Sequence, residues 1–181
     1  MIRLILAGIL LLSACGKQTK TKREIVLEQE DTSAVCKFYK LPNLSSMPNF
    51  KHITETATIR TDRLDNGRLS STEVFDFLKG TTVEEFAEVN FGLVCSGEYE
   101  ISSDGEYTFR LSSDDGAKLF INDVLVINHD GLHSFSTKIF KSKMTEGKIK
   151  LRVEYFQNLG EKGLQLSVVR KGSNLTEVIL F

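Results

Sequence analysis

The chain of 181 residues contains no tryptophan, only two prolines and only three cysteines. It has no run of about twenty apolar residues, the length a membrane-spanning helix needs. An excess of one charge is missing too: 23 Lys and Arg stand against 24 Asp and Glu, a formal net charge of −1. That balance gives no electrostatic case for a nucleic-acid partner. Gly-x-Ser-x-Gly, His-Glu-x-x-His and Walker patterns are all absent, which removes the signatures of serine hydrolases, zincins and P-loop proteins. The scattered Asp and Glu show no spacing that marks a glycosidase pair. The chain reads as a binding protein, not an enzyme.

What is present begins at the N-terminus. Met1–Cys15, "MIRLILAGILLLSAC", carries one cation, Arg3, then an apolar run from Leu4 to Leu12, then small residues ending in Cys15. The run is the length of a signal-peptide core. Leu12-Ser13-Ala14-Cys15 resembles the bacterial lipobox, which implies removal of residues 1–14 and acylation of Cys15. Several acyl chains on one cysteine anchor a protein stably, where a single chain binds marginally. Gly16 rather than Asp follows the cysteine, which for such lipoproteins implies the outer membrane. Residues 15–33 are polar and of mixed charge, and read as the lipidated cysteine and a solvated tether. With Cys15 set aside, Cys36 and Cys95 remain. An even pair in an oxidising compartment suggests a disulfide, and two buried thiols are the alternative.

From Ala34 onward the pattern is that of strands. Tyr107, Phe109 and Leu111 alternate with Thr108 and Arg110, and Ile149, Leu151, Val153 and Tyr155 alternate with Lys148, Lys150, Arg152 and Glu154. Period-two alternation buries one face of a strand. Asn122-Asp123 between two apolar runs predicts a two-residue hairpin, and Asp65-Asn66-Gly67 predicts another turn. "VCKFYK" reads as a first strand, "EVILF" as a last one, and Val83, Phe86 and Val89 have helical spacing that suits a short helix or a turn. Residues 34–181 are therefore expected to form one all-β domain, an antiparallel β-sandwich.

Within it, Arg110–Asp123 ("RLSSDDGAKLFIND") places Asp114 and Asp115 side by side in a short connection between strands. One Asp in a turn caps backbone N–H groups. Two adjacent carboxylates repel, so solvent, a cationic side chain such as nearby Lys118, or a bound cation must offset the charge. His129 and His133 flank Asp130 in "NHDGLH". The spacing suits a helix, and on a turn it favours a packed histidine over a zinc site. His52 stands alone.

Taken in order, Gly105-Glu106-Tyr107-Thr108-Phe109, Ser112-Ser113-Asp114-Asp115-Gly116, Leu119–Ile127 and Arg152-Val153-Glu154-Tyr155 resemble the anthrax protective-antigen-type ("PA-fourteen") domain. The likeness runs from about Ala34 to Val168. Cys95 stands where that family often has tryptophan. In the sugar-binding branch of the family the two aspartates are joined by a cis peptide and ligate calcium. The resemblance therefore implies calcium held by Asp114, Asp115 and a carboxamide oxygen at Asn158. Carbonyls near Leu159 and Gly160 would add ligands, and sugar hydroxyls would complete the sphere. Calcium takes six to eight oxygen donors in all. The pair also serves simply as a turn in many members of the family. With no tryptophan to act as a sugar platform, Phe156 is the substitute, unless it is core.

Three functions remain open on this reading. One is an exported lipoprotein that binds a glycan or cell-surface polysaccharide through calcium, as in adhesion. Another is an envelope interaction module of the same fold without that site. The third is an auxiliary domain that works with a separate enzyme. Lipidation is tested by metabolic labelling with an acyl analogue: the wild type should label and Cys15→Ser should not. Equal labelling of both would contradict the lipobox reading.

Overall fold

Alternation along the chain becomes eleven strands in the computed structural model, which describes residues 34–61, 65–173 and 176–178. Cys15, the lipobox-like stretch and the tether lie outside the described residues. The strands are β1 (Ala34–Lys40), β2 (Ala57–Thr61), β3 (Asp65–Leu69), β4 (Phe91–Ile101), β5 (Gly105–Asp114) and β6 (Ala117–Ile121). They continue as β7 (Val124–His129), β8 (Ser136–Met144), β9 (Gly147–Gln157), β10 (Lys162–Arg170) and β11 (Thr176–Val178). One sheet has the order β2-β1-β4-β9-β6-β7. The other runs β11-β10-β5-β8, with β3 also paired to β10. Every pairing is antiparallel. No helix among the described residues is long and apolar enough to cross a membrane.

The predicted alternation sets the core. Tyr107, Phe109 and Leu111 of β5, Ile149, Leu151, Val153 and Tyr155 of β9, and Leu164, Leu166 and Val168 of β10 are all buried. Each such burial contributes about 1.5–3 kcal/mol relative to exposure. Phe75, fully buried in the segment between β3 and β4, packs edge-on against Phe91 and Tyr155. Lys162 secures the same segment from the other sheet: its buried Nζ donates to the Ala87 carbonyl at 2.9 Å.

Asn122 and Asp123 have φ of +48° and +66°, the left-handed pair that a tight hairpin between β6 and β7 requires. The other turn expectation fails. Asp65-Asn66-Gly67 lies in β3, which pairs with β10 in one sheet, while β2 pairs with β1 in the other. A hairpin needs its two flanks to pair with each other. These flanks have partners elsewhere, so β2 and β3 belong to different sheets. The helical spacing over 83–89, which suits a short helix or a turn, becomes a single 3₁₀ turn at Glu84–Phe86. Val83 points into the core, but Phe86 faces outward beneath Lys40, whose Nζ is 3.7 Å from the ring centroid.

Cys36 and Cys95 are direct partners in the β1–β4 register, fully buried and joined with an S–S distance of 1.99 Å. Alkylation of the protein after unfolding without reductant should therefore leave both unmodified. The Cys36→Ala/Cys95→Ala variant should lose about 2–5 kcal/mol in denaturant titration. Labelling of both cysteines in unreduced protein would contradict the bridge.

Candidate functional site

Three connections between the sheets meet at one end of the sandwich. Asp115-Gly116 carries the chain from β5 to β6, residues 130–135 from β7 to β8, and residues 158–161 from β9 to β10. Asp115 ties them together. Its Oδ1 accepts from the His133 backbone N–H at 3.3 Å and its Oδ2 from the Asn158 N–H at 2.9 Å. The Asp114–Asp115 peptide is cis. Gly116 has no room for a side chain, since a Cβ there would lie 2.3 Å from Phe156 Cε1 and 3.0 Å from Gly131 N. Asp-Asp-Gly thus reads as two oxygen donors followed by the one residue that lets the strands close behind them.

Both aspartates are buried, at 7% and 6% exposure, so bulk solvent does not neutralise them. Lys118 does not either: its Nζ is 2.9 Å from Asp130 Oδ2. Among the described residues no Lys or Arg forms an ion pair with Asp114 or Asp115. Arg68, whose charge reaches Asp114 weakly, is paired with Glu161. Burial first, and then the Asp115 charge, push the Asp114 carboxyl above its ordinary value, partly opposed by a backbone hydrogen bond from Phe135.

Asn158 completes the group. Its backbone is fixed by donating to Asp115 and by accepting from Asn90 N–H at 2.8 Å. Its side-chain Oδ1 is buried without a hydrogen-bond partner. The other two such oxygens among the described residues are Ser113 Oγ, next to Asp114, and Asn90 Oδ1, on the residue bonded to Asn158. Orphaned buried acceptors cost about 1–3 kcal/mol each, and all three belong to Asn158, to the residue bonded to it or to the neighbour of Asp114. Two anionic oxygens and a neutral amide oxygen are hard donors that suit calcium. Leu159 and Gly160 stand at the exposed rim. The Leu159 carbonyl accepts from Gln157 Nε2 at 3.3 Å, and Gly160 holds its bend with φ +85°.

Gln157 is the residue that sequence reasoning missed. Its Oε1 accepts from Asp115 N–H at 3.1 Å, and its Nε2 also donates to the Glu161 carbonyl at 2.8 Å. One amide thereby joins the aspartate turn to the 158–161 loop. Tyr155 stands between two acceptors, with its hydroxyl 2.6 Å from the Asp114 carbonyl and 2.8 Å from Gln157 Oε1. Complete burial holds its phenol well above the ordinary value, so it stays a donor. A signal existed: Gln157 occupies the next core-facing slot after Ile149, Leu151, Val153 and Tyr155, where alternation calls for an apolar residue.

The histidines pack instead of assembling a metal centre. Their rings stack with centroids 3.9 Å apart. His129 Nε2 contacts Ser136 and His133 Nε2 the His129 carbonyl, at 3.1 Å each. Asp130 is committed to Lys118, to Met47 N–H at 2.6 Å and to Gly131 N–H. Among the described residues no group of three His, Cys, Asp or Glu is placed to hold a metal, so any cation site here needs Asn158 or backbone oxygens. Phe156 is fully buried and packs with Tyr39, Leu41 and Phe50. It is core, not a sugar platform.

A family model described as the PA14 domain matches residues 16–179. The chain belongs to the PA14 domain family. Among solved structures, the PA14 sugar-binding domain of an RTX adhesin matches with TM-score 0.63 and 19% identity, over 82% of this chain and 94% of that one. The epithelial adhesin 9 A domain of Candida glabrata, in complex with Galb1-3GlcNAc, matches with TM-score 0.59 and 12% identity, over 83% and 87%. A β-glucosidase of Kluyveromyces marxianus in complex with glucose matches with TM-score 0.54 and 20% identity, over 78% of this chain but 16% of the enzyme. At these identities the likeness concerns the PA14 fold. No curated protein sequence matches the chain.

The raised value for Asp114 has a signed consequence. Its folded carboxyl binds a proton more tightly than the unfolded one, so its contribution to stability falls as pH rises from the ordinary Asp value through the folded one. Above that window the penalty is complete. In chelator at neutral pH, Asp114→Asn should therefore unfold at higher temperature than wild type, with the gap closing as pH falls through the window. A gap that widens on acidification would contradict this.

Proposed function

We propose that this PA14 domain is a non-catalytic carbohydrate-binding module whose ligand is held through calcium at Asp114, Asp115 and Asn158. The carrying observation is the buried Asn158 Oδ1, without a hydrogen-bond partner, on the residue whose N–H holds Asp115, beside two buried carboxylates that no Lys or Arg among the described residues pairs with. A calcium ion would supply the missing charge and fill the orphaned acceptor. Its remaining coordination positions would be open to vicinal sugar hydroxyls on the side of Leu159 and Gly160. Leu132 and Leu159, 50% and 56% exposed, directly precede and follow the residues whose N–H groups clamp Asp115. They offer apolar contact to the C–H face of a sugar in a chain without tryptophan. The sugar-binding and glycan-complexed adhesin domains of the same fold support a glycan as the partner. The N-terminal lipobox-like sequence supports an exported protein anchored through Cys15, in the outer membrane where the cell has one.

Thermal unfolding with calcium and with chelator tests the ion. An ion bound only by the folded state adds about 2.7 kcal/mol at one hundred times its dissociation constant. The wild type should therefore melt higher in calcium, Asp115→Ala should lose the rise, and Asn158→Ala should keep part of it. A glycan array probed with and without chelator tests the ligand, and glycan spots should disappear with chelator. Calcium binding without any glycan would leave an envelope interaction module. No calcium response at millimolar concentration would reduce the aspartate pair to a turn.

A further inference from the structure

The outer faces of the two sheets differ in how many of their cations are paired. On the six-stranded sheet and its rim, four cations are matched: Lys37 with Glu55 at 2.6 Å, Arg152 with Glu154, Lys148 with Glu98 at 3.5 Å and Lys118 with Asp130 at 2.9 Å, while Lys40 caps the Phe86 ring and Lys150 makes no ion pair among the described residues. On the five-stranded sheet, Phe109 and Leu111 face the core, so Arg110, Thr108 and Glu106 face outward. The β5–β8 register sets Ile139, Lys141 and Lys143 beside them. Arg110, Lys141 and Lys143 are exposed and make no ion pair among the described residues. The acid on these two rows, Glu106, has Lys171 3.6 Å away. Beyond β5 the next outward row, Gln165, Ser167 and Val169 of β10, is neutral. A protein of net charge −1 therefore gathers unmatched positive charge on one flat face.

Lysines on β8 alone would need no special account, because an edge strand gains protection from unwanted pairing by carrying them. Arg110 does not fit that explanation. It sits on β5, between β8 and β10, where no free edge exists. The row also has a direction. Arg110 is four residues before Asp114 on the same strand, about 13 Å at the rise of an extended chain. Lys143, opposite Glu106, lies about 13 Å further away.

We propose that Arg110, Lys141 and Lys143 form a track for an acidic polysaccharide, one bearing carboxylate or sulfate groups at successive sugars. Its length suits several sugar units in a row and exceeds what a single small anion needs. A membrane surface fits less well, because the face carries one exposed large apolar side chain, Ile139, and no apolar wedge to enter a bilayer. The choice of a polysaccharide as the polyanion rests on the carbohydrate reading of the Asp114–Asp115 site.

Binding of the full mature chain to immobilised polygalacturonate, with neutral dextran as control, tests this in EDTA. The chelator silences any calcium site, so failure of the calcium reading leaves this result untouched. The wild type should be retained on polygalacturonate and not on dextran, with affinity falling as salt rises toward physiological strength. Arg110→Ser/Lys141→Ser should bind roughly tenfold or more weakly. Arg110→Lys/Lys141→Arg and, on the other sheet, Lys150→Ser should bind as wild type. Equal retention on dextran, or unchanged binding by the double serine variant at matched melting temperature, would overturn the track. Binding to phosphatidylglycerol vesicles but not to polygalacturonate would overturn it in favour of a membrane.

Discussion

Two carboxylates from consecutive residues are buried together where the chain passes from one sheet to the other, and the surrounding structure is arranged around that repulsion. Asp115 is gripped at both oxygens by backbone N–H groups from two other crossings. These bonds orient the carboxylate but do not cancel its charge. Nor do they remove the penalty on Asp114, whose proton affinity rises through burial and its neighbour's charge. Placing such a pair inside a protein is costly unless a counter-charge is supplied. The fold keeps Lys118 and Arg68 occupied with Asp130 and Glu161 instead. Among the described residues no Lys or Arg pairs with either aspartate.

Rigidity at this end comes from the scaffold beneath it. Tyr155 and Gln157, on alternate positions of the strand with the cleanest hydrophobic pattern, reach up from the core to the Asp114 carbonyl and the Asp115 amide. Gln157 then fixes the next crossing through the Glu161 carbonyl. Asp130 does the same on the other side, linking the 130–135 connection to the loop at Met47 and to Lys118 of β6. Hydrogen bonds that are fully buried and mutually supporting gain strength from the low local dielectric. Such a network holds Asp115 and the backbone of Asn158 in a fixed relation.

The parts of this arrangement legible in the sequence were those governed by local rules. β5, β9 and the Asn122-Asp123 hairpin follow from side-chain alternation and left-handed turn chemistry, both of which act within a few residues. The Asp114-Asp115-Gly116 run was visible as a problem of charge, and a family pattern singled out Asn158. Strand β3 was not legible, because Asn66-Gly67 carries a hairpin signal that pairing with β10, about a hundred residues away, overrides. The outward direction of Phe86, under Lys40 at a surface turn, was not legible in the spacing of apolar residues. Gln157, Lys162 and the commitment of Lys118 to Asp130 depend on which segments meet in space. Each is a buried or half-buried polar group whose partner is distant in the chain or in another loop.

The central claim is that the aspartate pair and Asn158 hold a hard cation, and terbium can report on it directly. Terbium replaces calcium at oxygen sites and emits when excited through a nearby aromatic ring. This chain has no tryptophan, and the Tyr155 hydroxyl lies 2.6 Å from the Asp114 carbonyl, so Tyr155 is placed to serve as the antenna. Terbium added to the wild-type domain under tyrosine excitation should give sensitised emission that calcium displaces and that Asp115→Ala abolishes. Emission that is absent from the wild type, or unchanged in Asp115→Ala, would contradict the account.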